Sequence, residues 1–434
     1  MKIPKAKQGY KIVKTIFQTY EEIPDDWELE KISNLSKVFT GGTPATSNKE
    51  YWENGNIPWI NSGEVQNCEV SNPSKLITEA GSASKNLQTL PKNTVVVALT
   101  GKPTCGNIGI LTFETSTNQS VTGILPSQKF IPKFLLYMLI FRRHHILRLQ
   151  LQTAQGHLNQ QIVKDLLIPI PPIPQQQEIG SILSTIDVTI QKTNQVIEQT
   201  QHLRKGMIQQ LITKGIDHSK FKKVDWYFGK KITIPEEWEL KEIGDILNAS
   251  SGGTPITKKP EFYNGNIPWV TSTDLNRGRI SHTTEKITPE AVEETRLKIY
   301  PKGTFVIATY GLEAEETRGK CGLLDIDAAI NQACLAFEKS NKINAEFLFY
   351  FYLNYAERII SIFAQGTRQQ NLYDYTIKEA KIFVPPMEEQ KQIVTILSNI
   401  NTQIQKEKIY VSNLEKLKKG LMQKLLTGQI RVKV

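Results

Sequence analysis

The sequence predicts an α+β protein that contains one unit twice, each copy being a mixed α/β domain followed by a long helix. Two observations lead to this fold class. An ordered set of short motifs occurs twice along the 434 residues. Each set ends in a run of residues with heptad spacing, which is typical of helices that pair as a coiled coil. A chain of this length is also expected to form more than one domain.

The repeat begins at a motif around a tryptophan. Ile23-Pro-Asp-Asp-Trp27-Glu-Leu matches Ile234-Pro-Glu-Glu-Trp238-Glu-Leu at an offset of 211 residues (234 − 23). Five further matches follow in the same order: Gly41-Gly-Thr-Pro with Gly252-Gly-Thr-Pro, Asn56-Ile-Pro-Trp with Asn266-Ile-Pro-Trp, Pro91-Lys-Asn-Thr with Pro301-Lys-Gly-Thr, Ile170-Pro-Pro-Ile with Val384-Pro-Pro-Met, and Lys205-Gly-Met-Ile with Lys419-Gly-Leu-Met. Because this period is far too long for a solenoid, the chain is a duplicated domain pair.

The segment after Pro171-Pro172 predicts a long helix. Two rows of residues have heptad spacing from Gln175 to Ile212, namely Ile179, Ile186, Thr193, Thr200, Met207 and Leu183, Ile190, Ile197, Arg204, Leu211. This segment would be roughly 57 Å long if fully helical. The second copy repeats the pattern and has Lys418 where the first has Arg204. We expect the two helices to pair as a coiled coil; the alternative is that each packs on its own domain.

The segments before each helix predict mixed domains. Thr94-Val-Val-Val-Ala98 and Thr304-Phe-Val-Ile-Ala308 are typical of buried strands, and helices are expected at Pro132–Leu151 and Ala345–Phe363. The predicted organisation is a first domain at 1–172, a first long helix at 173–214, a basic linker at 215–231, a second domain at 232–385, a second long helix at 386–428 and a tail at 429–434.

Composition restricts the possible classes of protein. The net charge of +10 indicates a polyanionic partner, although residues 232–366 alone carry a net charge of −5. The sequence has no run of eighteen apolar residues, and its start has no apolar segment typical of a signal peptide. Four scattered cysteines without CxxC spacing favour buried thiols in a reducing compartment. We therefore expect a cytoplasmic protein.

Known catalytic motifs are absent from the sequence. Gly101-Lys-Pro-Thr104 lacks the upstream glycine of a P-loop, and neither GxGxxG after a strand nor GxSxG occurs. The six histidines show no metal-ligand spacing, and His144-His145 is expected on a solvated helix face. A duplicated chain without these motifs is predicted to be a binding protein or a scaffold.

The doubled, ordered motif set strongly resembles the specificity subunit of Type I restriction–modification systems, over nearly the whole chain. The resemblance implies two target-recognition domains, each reading one half of a bipartite DNA site. It further implies two antiparallel helices that space the domains and dock two methyltransferase subunits. Restriction subunits would join through the complex. Methylation and ATP-driven cleavage would belong to the partner chains, together with S-adenosylmethionine and ATP, and this chain would hold no cofactor or metal of its own.

Candidate DNA-contacting residues are polar side chains in loops, because such groups read base edges while Lys and Arg contact phosphates. In the first copy the candidates are Thr43, Ser47, Asn61, Ser62, Lys102, Thr104, Asn107, His157, Asn159 and Gln160. In the second copy they are Thr254, Ser272, Thr273, Arg277, Arg279, Tyr310, Arg318, Lys320, Thr367, Arg368, Gln369 and Gln370.

Structural roles compete with these assignments. The glycine pairs can serve as turns, Trp59 and Trp269 are expected in the core, and the Asn-Gly pairs at 54–55 and 264–265 are expected to form tight turns. Two other functions remain open at this level. One is a self-contained DNA-modifying enzyme with unfamiliar motifs, and the other is a two-headed scaffold that binds proteins instead of DNA.

Overall fold

The computed structural model describes residues 5–15, 19–150, 157–312, 314, 317–366 and 370–433. The chain forms two compact units. Unit 1 comprises Met1–Asn194 and Ile409–Val434, and unit 2 comprises Gln195–Lys408. Within the described part of the chain, no helix is long and apolar enough to cross a membrane.

In its described residues, unit 1 consists of short strands, five short helices and parts of both long helices. The strands are β1 (Tyr10–Lys14), β2 (Tyr20–Pro24), β3 (Glu28–Lys31), β4 (Val38–Thr40), β5 (Ile57–Ile60), β6 (Cys68–Val70), β7 (Lys75–Ile77), β8 (Val95–Ala98), β9 (Ile108–Leu111), β10 (Ser116–Thr117), β11 (Val121–Ile124) and β12 (Leu167–Ile170). The helices are α1 (Ile32–Leu35), α2 (Glu79–Ser84), α3 (Pro132–Phe141), α4 (Arg143–Gln150), α5 (Gln160–Asp165) and α6 (Ile173–Lys214), which continues into unit 2.

Unit 2 repeats this order. Its strands are β13 (Phe221–Asp225), β14 (Lys231–Pro235), β15 (Glu239–Glu242), β16 (Ala249–Ser251), β17 (Ile267–Val270), β18 (Gly278–Ile280), β19 (Glu285–Ile287), β20 (Phe305–Ala308), β21 (Cys321–Leu324), β22 (Ala329–Ile330), β23 (Cys334–Phe337) and β24 (Lys381–Val384). Its helices are α7 (Pro289–Thr295), α8 (Ala345–Phe363), α9 (Asp374–Lys378) and α10 (Met387–Leu425), whose last part lies in unit 1.

The two units have the same sheet topology. A five-stranded sheet has the order β4-β11-β8-β9-β6 in unit 1 and β16-β23-β20-β21-β18 in unit 2. Three-stranded sheets β10-β5-β7 and β22-β17-β19 accompany them, and each unit adds two two-stranded pairs. The internal repeat predicted from the motifs is therefore a repeat of the fold.

The central strand of each five-stranded sheet is apolar because both its faces are covered. In β8, Val95 and Val97 pack into a core with the helices, whereas Val96 and Ala98 pack into a second core on the opposite face. Side chains of a strand alternate between faces, so a continuous apolar run is required where both faces are buried. All four residues of β20, Phe305–Ala308, are buried as well.

A buried glutamine attaches each long helix to its own domain. Gln176, the fourth residue of α6, is fully buried; its Oε1 accepts from the backbone N–H of Ile131 at 2.8 Å, and its Nε2 donates to the carbonyl of Pro171 at 2.8 Å. In unit 2, Gln390 accepts from the N–H of Asn344 at 2.7 Å and donates to the carbonyl of Pro385 at 2.8 Å.

The residue before each of these glutamines accepts a hydrogen bond from a tryptophan of the domain. Trp27 Nε1 donates to Gln175 at 3.1 Å in unit 1, and Trp238 Nε1 donates to Glu389 at 2.8 Å in unit 2. Both tryptophans are buried. The Ile-Pro-x-x-Trp motif found in the sequence thus fixes each domain to the first turn of its long helix.

Within each unit, segments of the two long helices run antiparallel. In unit 1, Asp187 contacts Lys418, and Gln175, which lies earlier in the chain, contacts Arg431, which lies later than Lys418. The two segments therefore run in opposite directions. In unit 2, Arg204 contacts Asn401 and the N–H of Ile216 contacts Glu389, in the same sense. The heptad residues form the buried face: Thr193, Ile197, Ile404 and Val411 are all buried.

The helices also pack on the domains, so both predicted arrangements occur together. Ile179 and Leu183 of α6 share one core with Phe134, Met422 and Leu425 in unit 1. In unit 2, the core that contains Phe305 also includes residues of both long helices: Ile208, Leu211, Ile393 and Leu397.

The polar heptad position forms a hydrogen-bonded layer in each unit. In unit 1, Lys418 pairs with Asp187 at 2.6 Å, and Asp187 accepts from the hydroxyl of Tyr137 at 2.7 Å. Burial and the Asp187 carboxylate together raise the pKa of Tyr137 well above its usual value, so the phenol stays a donor. A polar layer of this kind favours one register, because a shifted helix leaves its groups unpaired.

Unit 2 has an equivalent layer of different charge. Arg204 donates to Asn401 Oδ1 at 2.8 Å, and Asn401 Nδ2 donates to the hydroxyl of Tyr350 at 2.9 Å. An amide replaces the carboxylate of unit 1, so the cation of unit 2 is hydrogen-bonded here without an ion pair.

The predicted basic linker at 215–231 was wrong. Residues 221–225 form β13, which pairs with β14 from Phe221↔Pro235 to Asp225↔Lys231. Trp226 is buried against Tyr355 and Phe383 and anchors this hairpin to unit 2. The segment has the composition of a linker because lysines occupy solvent-facing positions of a two-stranded ribbon.

Two smaller expectations also need correction. The helix expected at Pro132–Leu151 is interrupted at Arg142, which leaves helical geometry while its guanidinium pairs with Glu21 at 2.5 Å. Cysteines 105, 321 and 334 are buried as expected, but Cys68 is exposed because it lies at the edge of the five-stranded sheet.

Replacing Gln176 by Leu should lower the free energy of unfolding by about 1–3 kcal/mol for each buried backbone group left without a partner. Those groups are the N–H of Ile131 and the carbonyl of Pro171. Gln177→Leu is the matched control, since Gln177 is the exposed neighbour on the same turn. Urea unfolding followed by circular dichroism measures both variants. Equal midpoints for the two would contradict this role of Gln176.

Candidate nucleic-acid interface

The glycine pairs are needed for close contact with a neighbouring strand. A Cβ built on Gly41 would lie 1.8 Å from the carbonyl oxygen of Thr117, and one on Gly252 would lie 2.0 Å from that of Ile330. No side chain fits at either position. The structural role considered for these glycines is therefore sufficient to explain them.

The tryptophans of the Asn-Ile-Pro-Trp motifs hold the same loops. Trp59 is 5% exposed and donates from Nε1 to the carbonyl of Gly42 at 3.1 Å. Trp269 is 4% exposed and donates to the carbonyl of Gly253 at 3.2 Å. The prediction that both belong to the core is confirmed. Each motif pair builds one rigid loop, and Thr43 on the first loop donates to Gln119 at 2.6 Å.

The turn after each tryptophan is tied by a carboxylate. Glu64 accepts from the backbone N–H groups of Asn61 and Ser74 at 2.9 and 2.7 Å, while the Asn61 side chain caps the turn by accepting from Gly63. Asn61 Nδ2 also donates to the hydroxyl of Ser74 at 3.2 Å, so both ends of the Asn61 amide are engaged within the fold.

In unit 2 the equivalent carboxylate belongs to Asp274. It accepts from the backbone N–H and the hydroxyl of both Thr271 and Thr284. Burial alone would raise its pKa, but these four hydrogen bonds outweigh that effect and hold the pKa of Asp274 below its usual value. The hydroxyl of Thr273 joins that of Thr271 at 2.6 Å. The two units therefore have the same turn after the tryptophan but build it with different side chains.

The loop between β8 and β9 lies next to this turn in unit 1. An added Cβ on Gly101 would lie 3.5 Å from the hydroxyl oxygen of Ser62, so the two segments are neighbours. Thr104 Oγ1 donates to Thr100, and Asn107 Nδ2 donates to the carbonyl of Val65 at 2.9 Å. Lys102 is exposed at the tip.

An arginine that the sequence did not single out supports this loop. Arg143 donates from Nε to the carbonyl of Gly106 and from Nη2 to that of Cys105, both at 3.1 Å. It directly precedes His144-His145, which were expected on a solvated helix face; His144 is exposed, but Arg143 is directed at the loop. Its position directly after an apolar helix was the available signal.

The third candidate segment of unit 1 also reaches the end of β8. The N–H of Leu158 donates to the carbonyl of Leu99 at 3.0 Å. Asn159 caps α5 by accepting from Ile162, Gln160 donates to the carbonyl of Val38, and His157 is exposed. The structure therefore brings the turn, the loop and this segment together at one end of the sheet.

Unit 2 has a larger loop cluster at the equivalent end of its sheet. The segment between β20 and β21 contains twelve residues, whereas its counterpart between β8 and β9 contains nine. Leu312 N–H donates to the carbonyl of Gln370 at 3.0 Å, and Arg318 donates to Gln370 Oε1 at 3.0 Å and to Glu357 at 2.6 Å. Arg318 and Gln370 thus form one polar surface.

Two further arginines of unit 2 are engaged within the protein. Arg277, at a φ of 58°, donates to the carbonyl of Arg318 at 2.8 Å. Arg279 forms ion pairs with Asp325 at 2.9 Å and Glu346 at 2.5 Å. A contact between Arg279 and a phosphate would compete with two carboxylates.

The remaining candidates are surface residues. The exposed or half-exposed ones are Ser47, Thr254, Ser272, Tyr310 and Lys320. Thr367, Arg368 and Gln369 lie outside the described residues. The DNA-contacting role of all the candidates stays a prediction. In the part of the chain that is described, no group of three or more His, Cys, Asp or Glu could hold a metal ion.

Two copies of one domain, each carrying clustered polar loops and each fixed to a long helix, define a duplicated recognition protein. The family model for the Type I restriction modification DNA specificity domain matches residues 24–201 and 235–413. Because these matches include most of the sequence, the chain belongs to this family.

Comparison with individual proteins agrees with that assignment. The chain is 27% identical to the Type I restriction enzyme MjaIX specificity subunit of Methanocaldococcus jannaschii, over 95% of each chain. It is also 27% identical to the MjaVIII specificity subunit of the same organism, over 95% of this chain and 94% of that one. The crystal structure of a Type I S subunit from M. genitalium shares the fold, with a TM-score of 0.55, 18% identity and coverage of 92% and 96%.

Gly41→Ala should lower the stability of unit 1 by about 1–3 kcal/mol, since the new methyl group overlaps a backbone carbonyl that cannot move freely. Gly206→Ala is the control: it lies in α6 with open space around its Cβ position, and it should raise stability by about 0.5–1 kcal/mol. Thermal unfolding distinguishes the two. A neutral Gly41→Ala would show that the close approach is dispensable.

Proposed function

We propose that this chain is the DNA-specificity subunit of a Type I restriction–modification complex, in which each domain reads one half of a bipartite, asymmetric target. The observation that carries this proposal is one framework built twice with different side chains at equivalent loop positions. Glu64 and Asp274 tie the same turn, but Asn61 and Gly63 stand where unit 2 has Thr271 and Thr273.

Different loops on one framework are what asymmetric recognition requires. Base edges are read by the donors and acceptors of individual side chains, whereas backbone contacts position the protein without reading sequence. The loops after the two central strands also differ: unit 1 presents Lys102 and Thr104, whereas unit 2 presents Arg318, which is hydrogen-bonded to Gln370 of the segment after α8. The two half-sites should therefore differ in sequence.

Catalysis in the complex is assigned to partner chains. S-adenosylmethionine and ATP would be bound there, by methyltransferase and restriction subunits respectively, in the cytoplasm where both substrates are found. The self-contained enzyme and the protein scaffold are the competing functions. Methyl transfer to DNA by the purified chain alone would favour the first, and stable assembly without affinity for DNA would favour the second.

The long helices offer two equivalent surfaces for such partners. Val196 and Leu203 lie seven residues apart on α6 in unit 2, and Tyr410 and Leu417 occupy the repeat-equivalent positions on α10 in unit 1. All four are between 45% and 57% exposed. Residues seven apart lie on one face of a helix. Each unit thus displays one apolar pair, which fits one methyltransferase subunit per unit.

Methylation of the host genome tests the proposed reading. Deleting the gene should abolish one class of bipartite methylated site. Complementation with Arg318→Ala should relax or weaken only one half-site, by about 1–3 kcal/mol if the arginine reads a base. Lys102→Ala is the paired variant and should affect only the other half. Equal effects of both variants on both halves would contradict the assignment of one domain to one half-site.

The docking surfaces have a separate test. Leu203→Asp should remove one methyltransferase subunit from the co-expressed complex, and the double variant with Leu417→Asp should remove two, because a carboxylate is costly in an apolar interface. Gln209→Asp, at an exposed position on a different face of α6, is the control. Native mass spectrometry gives the stoichiometry. Full occupancy in the double variant would exclude these surfaces as docking sites.

A further inference from the structure

The hairpin of β13 and β14 holds an aromatic side chain out into solvent. Its connection runs through Trp226, Tyr227, Phe228, Gly229 and Lys230. Trp226 is buried, and the ring of Tyr227 packs at 5.4 Å from that of Phe363 while its hydroxyl accepts from the N–H of Lys381. Phe228 is 82% exposed. Two aromatic residues therefore anchor the connection and the third projects from it.

The conformation of Phe228 is unfavourable for a residue of this size. Its φ and ψ are 56° and 39°, in the left-handed region that bulky residues rarely adopt. Such a conformation persists only where the surroundings enforce it, and it is found preferentially at functional sites. An exposed phenyl ring gains nothing from the core of unit 2. The anchored hairpin instead presents this ring in a fixed position.

The hairpin that carries the ring is basic in sequence. Residues 220–231 contain five lysines, namely Lys220, Lys222, Lys223, Lys230 and Lys231, and one acid, Asp225. Residues 232–366, which make up most of the second domain, have a net charge of −5, so the hairpin is a local basic feature. Lys223 and Lys231 are exposed on the same ribbon as Phe221. Aromatic rings among lysines are typical of nucleic-acid surfaces, where cations contact phosphates and rings stack on bases.

The hairpin tip lies at the same end of α8 as the reading loops of unit 2. Phe363, which contacts Tyr227, is the last residue of α8. Two residues later, Gln365 forms a bridge with Asn371, and the neighbouring Gln370 holds Arg318. DNA that contacts the Arg318 and Gln370 surface would therefore pass close to Phe228.

We propose that this hairpin is an additional DNA-binding element, in which Phe228 inserts between adjacent base pairs beside the second half-site while Lys223, Lys230 and Lys231 contact phosphates. Apolar side chains are used in this way to unstack a base step from the minor groove. The proposal rests on the proposed DNA-reading function. The first repeat carries Phe17 at the equivalent position, 211 residues earlier, outside the described residues.

The test uses the full chain, co-purified with its methyltransferase subunits, and a duplex carrying the target identified by methylation mapping. Single 2-aminopurine substitutions are placed at successive positions beside the second half-site. Wild-type protein should increase the fluorescence at one step, because unstacking removes the quenching. Phe228→Ala should lose that increase and bind about tenfold more weakly, as expected for the loss of one stacking contact. Phe228→Trp should keep both.

Two controls separate the ring from the hairpin as a whole. Phe221→Ala removes an exposed ring at the base of the same hairpin and should leave the fluorescence change intact. Lys230→Gln with Lys231→Gln should reduce the slope of log affinity against log salt by about 2 and also keep the fluorescence change.

The inference is overturned if Phe228→Ala binds the target as tightly as the wild type with the same fluorescence. Loss of methyltransferase subunits from the Phe228→Ala complex would identify a protein-docking surface instead and would equally overturn it. Failure of the wild-type complex to bind any mapped target would be a distinct result, since it would refute the proposed function itself.

Discussion

The hydrogen bonds of one buried glutamine in each unit fix the long helix to the domain that it follows. Gln176 and Gln390 are each the fourth residue of a long helix, and each accepts from the N–H of the residue that precedes a domain helix, α3 or α8. The same amide donates to the carbonyl two residues before the long helix begins. Because both ends of the amide are used, the first turn of each helix has one orientation on its domain. Every contact farther along the helix depends on that orientation.

The register of the helices is set by polar layers and not by the apolar heptads alone. Apolar rows tolerate a shift of one heptad, whereas a shift would leave Lys418 without Asp187, or Arg204 without Asn401. Each layer also includes a domain tyrosine, Tyr137 or Tyr350. The layers therefore connect helix pairing to the domain in each unit. The two copies differ in this layer, because the cation pairs with a carboxylate in unit 1 and with an amide in unit 2.

Each domain likewise contains residues that are repeated in both copies and residues that differ between the copies. Glycine pairs, buried tryptophans and turn-tying carboxylates are repeated because each meets a packing or hydrogen-bonding requirement of the backbone. Loop side chains outside this repeated framework differ between the copies, as at Lys102 and at the Arg318 and Gln370 surface. Variation at exposed loops costs little stability. A duplicated chain can therefore keep one fold and read two different half-sites.

The sequence by itself determined the duplication, the buried central strands, both long helices and the family. These follow from periodicity and motif order, which are local properties. It did not reveal the hairpin at 221–235, because lysines on a solvent-facing ribbon have the composition of a linker, and only the burial of Trp226 against Phe383 shows that this segment belongs to unit 2. Nor did it distinguish Arg279, engaged by two carboxylates, from Lys102, which is exposed. Whether a side chain is engaged within the protein or exposed depends on partners that are distant in sequence, and only the tertiary structure brings those partners together.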